Sequence, residues 1–159
     1  MKKTLSLVLM LVMAITLFAG CSDPIADDFA NFLNIEMTGV NENYTKITTE
    51  AATWATFEEL SQMETSINDV MLPLVNDSLE KLEAIEPATE EVKEIKAKYV
   101  KVMEAYKEGF NLVLEGTRAE DVNKVNAGNE KINEGVTLLN EYNEALEALA
   151  EQTGSEIQY

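Results

Sequence analysis

Glu90-Glu91-Val92-Lys93-Glu94-Ile95-Lys96-Ala97-Lys98-Tyr99-Val100-Lys101-Val102-Met103-Glu104-Ala105-Tyr106-Lys107-Glu108-Gly109-Phe110-Asn111-Leu112-Val113 is the stretch that decides the fold class. Val92, Ile95, Tyr99, Val102, Tyr106, Phe110 and Val113 recur at steps of three or four, which places them on one side of a helix. Lys and Glu fill most of the other positions. The spacing predicts a helix over about 90–115 with one buried face.

The same period extends in both directions. Downstream, Gly116-Thr117-Arg118-Ala119-Glu120 reads as a glycine stop followed by a capping box. A helix over about 118–152 follows, with Val122, Val125, Ile132, Val136, Leu139, Leu146 and Leu149 on its apolar side. Upstream, Glu86-Pro87-Ala88-Thr89 punctuates the chain. Before it runs the stripe Phe57, Leu60, Met63, Ile67, Val70 or Met71, Leu74, Ser78 or Leu79, Leu82 and Ile85, opened by the capping-box pattern Thr56 to Glu59. Pro73 lies inside that stripe and predicts a kink near 69–73. Nearest the N-terminus, Asp23-Pro24 reads as an N-cap with Pro at the first helical position. Ile25, Phe29, Leu33, Met37, Val40, Tyr44, Ile47 and Ala51 then mark a helix over about 25–52. The expected fold is all-α, an up-down-up-down four-helix bundle over 25–152, with a frayed tail at 153–159. The rival is a three-helix arrangement with a long first helix, fused through Ala52 to Ala55.

Composition excludes several chemistries. The chain of 159 residues has 29 acidic and 12 basic groups, no His and one Cys. Without His it lacks the commonest general base and metal ligand, and one Cys makes neither an internal disulfide nor a thiolate zinc site. Neither a cofactor nor a bound metal is expected. The strong negative field repels phosphate backbones, so nucleic acid is not an expected partner.

Residues 1–20 form a separate unit. Lys2 and Lys3 precede an uncharged, mostly apolar run from Thr4 that ends in Leu17-Phe18-Ala19-Gly20-Cys21. This layout is that of a secretory signal, and its end resembles the lipobox of bacterial lipoproteins. Ala19, Gly20 and Cys21 match that pattern, whereas Phe18 stands where Leu is usual. The resemblance covers about 21 residues. It implies cleavage before Cys21 and a diacylglyceryl group on its sulfur, hence a lipid-anchored protein on the extracytoplasmic face of the cell membrane. The cleaved chain keeps 10 basic groups against 29 acidic ones, a formal charge of −19. Only residues 21–24 separate the anchor from the first helix, so the bundle is expected to start at the bilayer surface. Its acidity beside anionic lipid favours an upright posture. Beyond the signal, the layout is similar to that of small helical-bundle lipoproteins of Gram-positive-type cell envelopes.

Within the helices, five features invite a functional reading. Ser78-Leu79-Glu80-Lys81 matches the S-x-x-K pattern of penicillin-binding proteins, but without its companion motifs a solvated surface pair is expected. The acidic run Glu83, Glu86, Glu90, Glu91, Glu94 lacks the spacing of a calcium loop and reads as a solvated face. Trp54, near Phe57 and Tyr44, is expected to plug the end of the bundle rather than to form an aromatic cage for a cation. On the last helix, Asn126, Asn129, Asn133, Asn140 and Asn143 form a polar line beside the apolar stripe. It reads either as a register device or as a ligand or partner face. Gly128 and Gly135, seven apart, imply close approach of a neighbouring backbone, or room for something else. The leading functional expectation is a noncatalytic interaction or adaptor module with an envelope protein partner. The alternative is a small-ligand-binding bundle with its ligand along the last helix, and an envelope enzyme comes third.

Overall fold

The computed structural model describes residues 14–16 and 23–158, so Cys21 lies outside the described residues. Among them the chain is all-α apart from one short strand pairing. The helices are α1 (Pro24–Asn31), α2 (Thr38–Thr53), α3 (Leu60–Thr65), α4 (Leu72–Ala84), α5 (Glu90–Arg118) and α6 (Val122–Thr153).

The first helical stretch starts as its sequence dictates. The Asp23 carboxylate accepts from the Ile25 amide at 3.0 Å, with Pro24 in the first turn. A π-turn, Phe32–Glu36, joins α1 to α2, and the Met37 amide reaches back to the Phe32 carbonyl at 2.9 Å. The extra residue lets Phe29, Phe32, Leu33, Met37 and Val40 all point inward and leaves Ile35 outside. It also divides the stretch in its packing: α1 meets α5 and α6, and α2 lies against α4.

Fusion of the first two segments does not occur. Trp54–Thr56 tightens to a 3-10 turn and Phe57 is extended, with φ −70° and ψ 131°. The Thr56 hydroxyl donates to the Thr53 carbonyl at 2.6 Å instead of capping the next helix. That role falls to Glu59 and Gln62, whose Oε1 accepts from the Glu58 and Glu59 amides at 2.8 and 3.0 Å. α3 therefore begins at Leu60, three residues later than the Thr56 pattern implied, and Leu60 is exposed rather than core. The distortion expected around Pro73 takes the form of a π-turn, Ser66–Met71, joining α3 to α4. Pro73 cannot donate and its ring crowds the carbonyl four residues back, so widening the preceding turn relieves both problems.

Between α2 and α4 lies a polar network that corrects the surface reading of Ser78. Asn43 Nδ2 donates to Asp77 Oδ2 at 2.5 Å and to Ser78 Oγ at 3.2 Å, and the Ser78 hydroxyl donates to the Leu74 carbonyl at 2.8 Å. Ser78 and Asn43 are buried. Lys81 pairs with Asp77, not with Ser78. Asn43 thus ties α2 to α4 through polar contacts that only this alignment of the two helices satisfies. A second cross-tie joins the first stretch to the start of α5. Asp28 accepts from the Ala88 and Thr89 amides at 3.0 and 2.8 Å and from the Thr89 hydroxyl at 2.5 Å. Burial opposes the charge, but these bonds, with Lys93 nearby, outweigh it and hold the Asp28 carboxyl below its ordinary range.

The closest association is that of α5 with α6. A Cβ on Gly128 would stand 2.7 Å from the Gly109 carbonyl oxygen and 2.8 Å from the Val113 amide nitrogen. On Gly116 it would stand 2.7 Å from the Val125 nitrogen, and on Gly135 2.6 Å from the Tyr106 ring. The glycines thus serve close approach, and α5 takes up the room they leave. Gly116 lies inside α5 and does not stop it: the helix runs on to Arg118. The real N-cap of α6 is Asp121, which accepts from the Asn123 and Lys124 amides at 2.9 and 3.3 Å, so the Thr117 to Glu120 capping box is not formed.

Of the tail at 153–159, expected to fray, residues 153–158 are described. Gly154, at φ 64°, closes α6, and β2 (Glu156–Gln158) pairs antiparallel with β1 (Ala14–Thr16), Ile15 opposite Ile157. β1 precedes Cys21, so a cut before that residue would take this partner away.

The glycine contacts make a stability prediction. Alanine is the better helix former by about 1 kcal/mol. Yet Gly128→Ala should lower unfolding stability by roughly 1–3 kcal/mol, because the new methyl meets backbone that cannot yield. Urea midpoints measure this, and an unchanged or raised midpoint would contradict the close approach.

Candidate functional site

Where α3 begins and α5 turns into α6, the helices do not close on one another. Trp54, Phe57, Leu60 and Met63 on one side and Val113, Gly116, Val122 and Val125 on the other line a groove of about 550 Å³. Its two apolar lips are well exposed, Leu60 at 65% and Val122 at 70%. Both were expected in the core. Leu60 is out because its helix starts late, and Val122 because of the helices only α1 and α5 pack on α6 to any extent, α1 near its other end.

Trp54 both plugs and lines this end. Its indole Nε1 donates to Ser66 Oγ at 2.8 Å, and Ser66 donates to Glu50 at 2.6 Å. The ring stands edge-on to Phe110 with centroids 6.0 Å apart. Tyr44 belongs elsewhere, with Tyr106, so no cage forms between it and Trp54. Burial pushes the Tyr99, Tyr106 and Tyr142 hydroxyls above their ordinary range, so these core phenols stay protonated.

Four carboxylates, Glu58, Glu59, Glu120 and Asp121, also line the groove, and no basic residue does. The nearest cations are taken: Arg118 pairs with Glu64 at 2.6 Å and Lys124 with Glu115 at 2.8 Å. Glu120 is the unusual member. It is the one non-glycine residue at positive φ, 52°, among the described residues. The turn is a Schellman closure, in which the Asp121 amide reaches the Gly116 carbonyl at 2.8 Å and the Glu120 amide reaches Thr117 at 3.3 Å. The end of α6 repeats these bonds from Ser155 to Ala150 and Gly154 to Glu151, but there glycine takes the left-handed position. Glu120 thus carries strain that the same turn elsewhere avoids, and it does so on the rim of an open groove.

The structure disperses the remaining sequence candidates. Asn126, Asn129, Asn133 and Asn140 are exposed along α6, and Asn143 is half-buried with an Oδ1 that has no hydrogen-bond partner. Of the five, Asn129 lines the groove. The acidic run around Glu90 holds an ordinary pair, Lys93 to Glu90 at 2.7 Å, and among the described residues no group of three or more carboxylates or thiols is placed to hold a metal. No described helix is long and apolar enough to cross a membrane. The sequence carries signals for both sides of the groove: Glu59 with Gln62, the capping pair of α3, and Asp121 directly before Val122. Neither a family model, nor a curated protein, nor a solved structure matches the chain.

The strain at Glu120 is measurable. Glu120→Gly should raise stability by about 1 kcal/mol, since glycine enters the left-handed region without a Cβ penalty. Thermal unfolding of the variant beside the parent reads this. A loss of stability would mean that the side chain supports the fold.

Proposed function

We propose that the chain is a bacterial lipoprotein, acylated at Cys21 and held at the extracytoplasmic face of the cell membrane. There it serves as a noncatalytic interaction module for an envelope protein. In this reading residues 25–152 form the expected up-down-up-down four-helix bundle, standing on the lipid with the groove at its far end. The observation that carries the reading is the groove itself, with exposed Leu60 and Val122 at its lips. The chain leaves the anchor at Asp23, and the Asp28 tie puts α1 beside Ala88 and Thr89. From Glu90, α5 then runs 29 residues, about 44 Å, to the turn that lines the groove. A module with its apolar opening that far from its tether is suited to meet a partner rather than the bilayer.

One feature speaks against catalysis and another against a small ligand in the α5–α6 seam. The one motif with catalytic form, Ser78 to Lys81, has its serine buried in the Asn43 network and its lysine on Asp77. A ligand lying in the seam between α5 and α6 would have to displace backbone at Gly109, Gly116 and Gly128.

Mass spectrometry of the protein extracted from native membranes tests the address. The expected product begins at Cys21 and carries a diacylglyceryl mass. A product that retains residues 1–20, or that lacks acyl mass, would overturn the anchor and the working distance together.

A further inference from the structure

α6 carries a heptad seam that is only half covered. Val122, Val125, Asn129, Ile132, Val136, Leu139, Asn143, Leu146 and Ala150 alternate at steps of three and four along its whole length. The C-terminal half is buried, with Leu139 at 4% and Leu146 at 0% exposure. In the N-terminal half Val122 is 70% exposed, Val136 39% exposed, Asn129 exposed and Val125 and Ile132 half-buried. Gly128 and Gly135 seat one flank of this seam on α5, where Val125 and Ile132 also lie over Gly116 and Gly109, whereas the other flank is the exposed line Asn126, Asn133 and Asn140. The uncovered seam opens into the groove through Val122, Val125 and Asn129.

We propose that a cationic amphipathic helix of an envelope protein docks in this seam, an inference that rests on the interaction-module reading above. The uncovered length, Val122 to Val136, is about 21 Å, enough for roughly four turns. An incoming helix would lay its apolar side on Val122 and Val136 and on the edges of Val125 and Ile132 that α5 leaves open, with its end between Leu60 and Trp54. Asn129, midway along, asks for a polar group opposite it and so fixes the register. The sign of the partner follows from the rim. The Glu58 and Glu120 carboxylates make no ion pair or hydrogen bond among the described residues, and no basic side chain lines the groove. The same acidity argues against a second copy of this chain, which would bring −19 to −19 and another acidic rim.

The sole tryptophan, Trp54, lines the groove and reports on it. The membrane-extracted protein is returned to phosphatidylcholine vesicles and titrated with a tryptophan-free, 15-residue heptad peptide of Leu and Lys, while Trp54 emission is followed. A saturable change is expected, and the same peptide with Glu for every Lys should give none. Leu60→Asn with Val122→Asn keeps the charge and, since both side chains are exposed, the fold. This pair should weaken binding about tenfold or more. Glu58→Gln with Glu120→Gln should weaken it about threefold or more and flatten its salt dependence. Glu91→Gln with Glu94→Gln, an equal charge change at the start of α5, should leave it within about twofold. Equal weakening by the two carboxylate pairs would reduce the effect to net charge and overturn the proposal. So would indifference to the Asn variants, absence of any response, or a concentration-dependent dimer by sedimentation that buries Trp54 in place of the peptide. Acylation at Cys21 without a peptide response overturns this inference alone, and a peptide response without acylation overturns only the address.

Discussion

Backbone contact between α5 and α6 is the constraint on which the rest of the structure depends. Gly109, Gly116 and Gly128 bring the two helices so near that main-chain atoms occupy the space a Cβ would need. Such proximity exchanges side-chain burial for dispersion contact between backbones, and it commits the flank of α6 that carries Gly128 and Gly135 to α5. A helix held so firmly on one side needs little from any other neighbour. That is why the N-terminal half of α6 stands clear of α2 and α3, while its C-terminal half meets α1. The π-turn at Phe32–Glu36 completes the arrangement, because it separates the stretch that packs on α6 from the stretch that packs on α4.

Much of this was legible because helical periodicity is a local property. Val92 to Val113 is buried at every position that the period selects, and Phe29 to Ile47 likewise. The glycine spacing also announced a close approach. Helix ends were read less well, since several residues can claim one cap and tertiary contact chooses among them. Thr56 and Thr117 each offered a capping box, but Gln62 and Asp121 made the bonds. The late start of α3 puts Leu60 outside, whereas Val122 is outside because no helix besides α5 covers that end of α6, a tertiary fact that no local pattern carries. Ser78 was misplaced for another reason. Periodicity allowed Ser78 or Leu79 inward, and only the presence of Asn43 across the interface makes the hydroxyl the better choice.

The acidity of the chain links the site to its surroundings. Exposed pairs such as Lys131 with Glu108 at 3.2 Å and with Glu134 at 3.1 Å neutralise little of it. The uncompensated charge near the groove lies at Glu58 and Glu120, one on a strained backbone. Charge so placed contributes more to the choice of partner and the speed of encounter than to stability. Were the body tied to a bilayer as proposed, the same charge would hold it off anionic lipid.

Hydroxyl-radical footprinting of the unoccupied protein tests the central claim, a helix covered over one half of its seam and bare over the other. Side-chain oxidation should be fast at Leu60 and Val122, measurable at Val136, and strongly suppressed at Leu139, Leu146 and Leu149. Suppression at Val122 and Val136 equal to that at Leu139 would show the seam closed along its length, and the groove would lose its meaning.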